Sequence, residues 1–285
     1  MKGLAFSVLL LVLFSLLLVH EHAPPTLKAT TAAVQQQRTA MNQQNRNFLL
    51  PFDLANCTQI FLDCGSNRGN QLRKLYDGEK EGSPWGVFFR SLFSNDTLQR
   101  QRDVCSVAWE PDIKHQSVHR ELQRRYAAMG IRSHTFFHPI WINNDNLTFY
   151  MRNTEVGNEG SSIMNHSVLN KDAESITTRQ VEAFNFVHLI STLQQDRNKR
   201  TIVIKFDIEG AEHAIYYELF FRDLMCNLFL AMEVHPFWPP EFPPSPLTEY
   251  LNRRKRKVNF AFQQRVLRHR NDCRRTVVMD LDDET

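Results

Sequence analysis

Short, mostly apolar runs that each lead into an acidic residue constrain this chain more than any other feature. Residues 60–62 (Ile-Phe-Leu) run into Asp63-Cys64-Gly65, and residues 104–109 run into Glu110-Pro111. Residues 202–206 stop at Asp207, and residues 228–234 carry Glu233 just before His235. Runs this short and this apolar predict strands buried on both faces, as parallel sheets require. Between them lie helix-like segments at 71–76, 113–129 and 211–224. Residues 132–142 read as a third strand once Gly130 has stopped the preceding helix, and 147–151 as an extra strand. Residues 181–186 read as a strand leading into a helix over 187–193. Strand alternating with helix predicts an α/β domain with a doubly wound, mostly parallel, Rossmann-like sheet. Residues 77–102, with Gly78, Gly82-Ser83-Pro84 and Gly86, read as an inserted loop carrying an apolar segment at 87–93. Residues 258–266 and 275–281 are expected to pair as a closing hairpin.

In sheets of this kind ligands bind beyond the carboxyl ends of the strands, so the strand-end residues are the ones to inspect. The first turn is Asp63-Cys64-Gly65-Ser66-Asn67-Arg68-Gly69. Gly65 and Gly69 let the backbone bend sharply and come close to a ligand, although any plain strand-to-helix turn has the same need. Glu110 is placed to accept ribose hydroxyls; the competing role is a carboxylate stabilised at a helix start. Lys205 stands near the end of the strand at 202–206 with Asp207, Glu209 and Glu212 just after it, and Glu233 and His235 mark the end of the next. Several carboxylates and an imidazole would thus gather at one rim, a composition suited to general base chemistry or to metal ligation. Solvated loop charges are the plainer alternative. No ligand spacing demands a metal, and whether one is needed is left open.

These residues carry a resemblance. FLDCGSNRG, VAWEP, GSSIM, IKFDIEGAE and MEVHP stand in the order and rough spacing found in FkbM-type methyltransferases, over about residues 57–235. Asp63, Gly65, Asn67 and Gly69 resemble that family's D-x-G-x-N-x-G loop, which holds S-adenosylmethionine, and Glu110 resembles its ribose-binding glutamate. Lys205 to Glu212 is similar to its K-x-D-x-E-G-x-E signature, the most specific of the matches. The resemblance implies a class I methyltransferase fold with S-adenosylmethionine as cofactor. It also implies methyl transfer, often to a hydroxyl of a sugar or polyketide. Cys64 and Arg68 fill variable positions of the loop, and the 77–102 insertion is unusually long for the family.

The amino terminus bears on location. Lys2 precedes an uncharged, strongly apolar stretch at 3–19, about 25 Å long as a helix against a hydrocarbon core of about 30 Å. Signal-anchor, cleaved signal peptide and buried core helix are the three readings of residues 1–23. The segment lacks an A-x-A-like cleavage site, which favours the anchor. Residues 24–50, rich in Gln and Asn, read as a flexible stem, and 51–285 as the catalytic domain. The sequons at Asn56, Asn95, Asn146 and Asn165 fit a lumenal chain, although a chain this rich in Asn carries some sequons by chance alone. None of the five cysteines forms a C-x-x-C pair. Cys57 with Cys105, and Cys226 with Cys273, are the expected disulfides, leaving Cys64 free. The basic run 253–257 looks like a nuclear localisation patch, a reading that a secretory amino terminus opposes. With 34 basic and 31 acidic residues the chain has no excess charge that would call for nucleic acid.

Two functions are therefore carried forward. One is a lumenal, single-pass type II membrane enzyme of the Golgi or endoplasmic reticulum, with a secreted form as the alternative, that O-methylates a glycan or small-molecule acceptor. Asp207 or His235 would act as base, with Glu209, Glu233 and Lys205 orienting neighbours. The other is a membrane-tethered module that keeps the fold for binding or cargo handling without the chemistry.

Overall fold

The computed structural model describes residues 52–152, 161–163, 176–195, 200–233 and 277–280. The chain divides into the units Met1–Leu49 and Leu50–Thr285, and every described residue belongs to the second. The apolar amino terminus, the stem, His235, the proline-rich loop and the basic run lie outside the described residues. Among the described residues no helix is long and apolar enough to cross a membrane.

In chain order the strands are β1 (Gln59–Cys64), β2 (Val104–Trp109), β3 (Ser133–Phe136), β4 (Ile140–Trp141) and β5 (Asn146–Arg152), then β6 (Ile176–Glu182), β7 (Phe184–Asn185), β8 (Thr201–Phe206), β9 (Leu228–Met232) and β10 (Val277–Asp280). The helices are α1 (Asn70–Tyr76), α2 (Pro84–Leu92), α3 (Thr97–Asp103), α4 (Gln116–Ala128), α5 (Phe186–Leu193) and α6 (Glu212–Phe221). Six strands form one sheet in the order β10-β9-β8-β1-β2-β3. Every adjacent pair in it is parallel. The strand order reverses between β1 and β8, and this switch point is where a doubly wound sheet opens a crevice. The expected α/β architecture with a parallel sheet is thus present. Residues 60–64, 104–109 and 202–206 are all buried, which is why their sequences are apolar apart from Asp63, Ser106 and Lys205.

Two expectations need correction. Residues 77–102 are not a loop, because they hold α2 and α3. Ser83 caps α2 by accepting from the Gly86 amide at 3.2 Å, and Pro84 takes the first helical turn, where its missing N–H costs nothing. Asp96 caps α3 through the Leu98 amide at 2.9 Å. Trp85, Phe89 and Phe93 then pack with Phe61, Leu72, Tyr76 and Tyr126 to fill one face of the sheet. The third strand is also shorter than 132–142. It ends at Phe136, and β4 leaves to pair with β7 in a separate ribbon. Pro139 lies at the break, with no amide to donate and its carbonyl accepting from Phe184 at 2.8 Å. Residues 277–280 form β10, which extends the sheet as a parallel strand beside β9. The proposed partner at 258–266 lies outside the described residues.

The other sheet face is aromatic as well: Trp109 packs on Phe136, Phe184 and Phe186, and Phe186 meets Phe206 edge-on. At the amino ends of the strands Cys57 and Cys105 form a disulfide with a Cα separation of 6.1 Å. Cys64 is buried and free. Cys226 is disulfide-bonded too, and its expected partner Cys273 lies outside the described residues.

Non-reducing peptide mapping should recover Cys57 linked to Cys105, with Cys64 alkylated only after denaturation. Replacing Cys57 and Cys105 together with Ser should cost about 2–4 kcal/mol in denaturant unfolding, as expected for a bridge closing a long loop. An unchanged midpoint would show that the bridge adds nothing to the parallel pairing of β1 and β2.

Candidate functional site

A cavity with about 610 Å³ of empty space, part of it open to solvent, lies at the carboxyl ends of β1, β2 and β8. That is the switch point of the sheet. Gly65 and Asn67 reach it from the turn after β1, Glu110, Pro111 and His115 from the segment after β2, and Asp207, Ile208 and Ala211 from the segment after β8. Phe149 on β5 and Ser161, Ser162 and Ile163 line another side.

Glu110 is only 6% exposed. Its Oε2 accepts from the Asn67 amide at 2.6 Å and its Oε1 from the Asp112 amide at 2.8 Å. Burial pushes its carboxyl up to about 8, against the downward pull of those two amides and of Lys205. A carboxylate offers about four acceptor positions, so two remain for a ligand.

Beneath the cavity lies a buried cation. Lys205 Nζ donates to the Gly65 carbonyl at 3.0 Å and to Asp207 Oδ2 at 3.1 Å, and stands 3.9 Å from Asp63 Oδ1. Asp63 is fully buried and accepts from Ser66 Oγ at 2.6 Å. Asp63 therefore braces the turn from below and is not among the residues lining the cavity. Lys205 orients Asp207 and fixes the glycine turn with the same ammonium group.

Both loop glycines are required by the chain itself. Gly65 has φ +81°, and a Cβ there would run into the Asp207 carbonyl, lying 2.8 Å from its carbon. Gly69, with φ +74°, faces Leu122 of α4, whose Cδ1 would lie 2.5 Å from an added Cβ. The sharp turn expected at this place is present, but what comes close to these glycines is the protein's own backbone and core. Only Gly65 of the two lines the cavity.

The segment after β8 is a strained turn. Glu209 has φ 55° and Gly210 φ 97°. The Gly210 amide donates to Glu212 Oε2 at 2.8 Å, so the buried Glu212 holds the turn from inside. The Glu209 carbonyl accepts from Ser162 Oγ at 3.0 Å, which ties segment 161–163 to this rim, and Ser161 Oγ donates to Asp112 Oδ2 at 3.2 Å on the other side. Glu209 itself is not among the lining residues. Of the residues singled out from sequence, Gly65, Asn67, Glu110 and Asp207 meet at the cavity; Asp63, Gly69, Lys205 and Glu209 support it; His235 lies outside the described residues.

Reading the strand ends alone misses Asp112, His115, Phe149 and the serine pair. It also misses His119, fully buried on α4 with Nε2 2.8 Å from the Asn67 carbonyl. Its signal was available: His119, Leu122 and Tyr126 share helical spacing and all face inward. Among the described residues no group of three or more His, Cys, Asp or Glu side chains is arranged to hold a metal ion. Comparison with family models, with curated proteins and with solved structures returned no match.

Gly130 shares the left-handed backbone of Gly65 (φ +74°) but an added Cβ there meets open space. Gly130→Ala should therefore cost about 1–2 kcal/mol from backbone strain alone. Gly65→Ala should cost that plus a clash with backbone that cannot move aside, and its thermal midpoint should fall much further. Equal losses in the two variants would refute the close approach of β1 and β8.

Proposed function

We propose that this chain is an S-adenosylmethionine-dependent methyltransferase, resembling the FkbM type, that O-methylates a glycan or another acceptor of the secretory pathway. The observation that carries the reading is the convergence of Glu110 and Asp207 on one cavity, from two strand ends on either side of the glycine turn. The residues fit a nucleoside cofactor: Glu110 keeps two acceptor positions for the hydroxyls of a ribose. Gly65, Asn67 and Glu110 would hold it. When bound, the cofactor supplies an electrophilic methyl group.

The chain's own task is then to hold the acceptor and take its proton. A hydroxyl is a poor nucleophile until its proton leaves, and a carboxylate at Asp207, steadied by the Lys205 ammonium, is placed to receive it. His235 is the second candidate base. Phe149, Ile163 and Ile208 give the cavity an apolar wall that keeps water away from the exchange.

The apolar amino terminus supports a membrane-anchored, lumenal chain. So do the disulfides, which persist in oxidising compartments. The sequon residues Asn56, Asn95 and Asn146 are exposed, as glycosylation requires. A non-catalytic module is the second reading, and one observation favours it: Gly65, Gly69 and Lys205 all have partners within the chain. Such residues would be kept by a fold reused for binding alone.

Calorimetry on the full chain purified from animal cells should detect S-adenosylmethionine and S-adenosylhomocysteine. Glu110→Ala should weaken binding by about 1.5–3 kcal/mol, roughly ten- to a hundred-fold. Asp207→Asn should keep affinity within a few-fold while methyl transfer to a glycan panel drops by about 10²–10⁴. No binding by the unmutated protein would overturn the reading, whereas binding without transfer to any acceptor would favour the module.

Topology is tested separately. Glycosidase treatment should lower the apparent mass of the protein made in those cells, and the protein should sediment with membranes. An unglycosylated cytosolic product would overturn the lumenal assignment.

A further inference from the structure

His119 is an imidazole with no exposure to solvent, on the inward face of α4. Its Nε2 lies 2.8 Å from the Asn67 carbonyl, and its Nδ1 lies 3.2 Å from Thr135 Oγ1. A carbonyl oxygen only accepts, so Nε2 carries the proton and Nδ1 accepts from the threonine hydroxyl. Burial lowers the imidazole pKa to about 4, which keeps the ring neutral in this tautomer near pH 7. The residue on the other end of the bond is unusual in its own right. Asn67 has φ 48°, a backbone conformation that costs a non-glycine residue energy and persists only where its surroundings enforce it.

The bonds form a directed chain. Thr135 Oγ1 donates to His119 Nδ1, His119 Nε2 donates to the Asn67 carbonyl, and the Asn67 amide donates to Glu110 Oε2 at 2.6 Å. The Asn67 carbonyl and the Asn67 amide belong to adjacent peptide groups, so the link between these bonds is the backbone angle at Asn67, which both of them hold. We propose that His119 is a positioning residue for the ligand of this cavity, holding Asn67 in its left-handed turn so that the Asn67 amide stabilises the charged form of Glu110. The proposal deepens the nucleoside-binding reading and rests on it for the identity of the ligand, but not for the bond chain itself.

The charged and titratable groups acting on Glu110 are Asp112 from its own segment and Lys205 from β8. Those acting on His119 are His115 and Arg73. None of these is altered by changing His119. Loss of the His119 bond should free the Asn67 turn, weaken the amide bond to Glu110 and push the Glu110 carboxyl further up from about 8. Glu110 would then charge only at higher pH, and a ligand that donates hydroxyls to it would bind only there.

The test uses the full chain with His119→Leu, His119→Gln and Thr135→Val. Glutamine places an amide nitrogen near the Nε2 position and can donate to the same carbonyl without titrating. The Glu110 carboxyl carbon is followed by NMR against pH without ligand, and S-adenosylhomocysteine affinity is measured across the same range. His119→Leu should raise the Glu110 midpoint and weaken affinity at pH 7 about ten-fold. His119→Gln should restore both, an outcome that a role limited to core packing does not give. Should His119→Leu fail to fold, Thr135→Val, which removes only the hydroxyl orienting the ring, should shift the midpoint in the same direction by less. A Glu110 midpoint unmoved in the folded variants overturns the positioning role. Absence of S-adenosylhomocysteine binding by the unmutated protein overturns the cofactor reading instead, and the titration still decides for or against His119.

Discussion

Lys205 brings a positive charge to a place from which water is nearly excluded, and the arrangement of the sheet at its switch point depends on how that charge is met. The ammonium lies between a fully buried Asp63 at the end of β1 and the half-buried Asp207 after β8, and it also binds the carbonyl of Gly65. Placing a cation there without partners would cost several kcal/mol, and removing the cation would leave Asp63 as the uncompensated charge. The group therefore tolerates no partial replacement. Its geometry brings the two turns together closely enough that residue 65 can carry no side chain. The close approach at Gly65 and the orientation of Asp207 go with one buried contact between adjacent strands, while the Asn67 carbonyl next along the turn is met from α4 by His119.

This explains which parts of the molecule were legible in the sequence. Strands buried on both faces are largely apolar, so β1, β2, β8 and β9 announced themselves, and the charged residues near the carboxyl ends of β1 and β8, Asp63 and Lys205, marked the rim. The helices α2 and α3 were hidden by the residues that start them. Gly82-Ser83-Pro84 has the composition of a loop, yet Ser83 is a cap and Pro84 a first-turn residue. The break after β3 was marked by Pro139, which lies inside an otherwise apolar stretch. The parallel placement of β10 could not be read, because pairing direction leaves no trace in a four-residue strand.

At the site, residue types were easier to read than their reasons. Asp63, Gly65 and Gly69 lie in a segment that resembles a cofactor-binding loop and Lys205 in a second resembling segment, but three of the four support the cavity from behind and Gly65 is a glycine because Asp207 needs the space. A motif records every constraint on a segment at once, the fold's as well as the ligand's. Glu110 differs, because its carboxyl is held at the cavity wall at an electrostatic cost that burial imposes and that two backbone amides only partly offset. A purely structural carboxylate at that position would be better stabilised facing water. That environment is the one the proposed ribose-binding role asks of Glu110.

The two sides of the cavity also have different origins. The Glu110 and Asp207 side is built on the ends of the parallel sheet, where position is set by strand register and cannot drift. The side formed by Phe149 and Ser161 to Ile163 comes from outside that sheet: β5 pairs with β6 in an antiparallel ribbon, and Ser162 bridges to Tyr150 of β5. The serine hydroxyls fasten this side to Asp112 and to the Glu209 carbonyl, one bond to each strand-end segment. Substitutions at Phe149 or Ile163 can change its shape without touching the sheet, the buried lysine or the His119 chain. A common ligand is best recognised by the rigid side and a variable one by the ribbon, so residues that choose an acceptor are to be sought on β5, β6 and the serine segment.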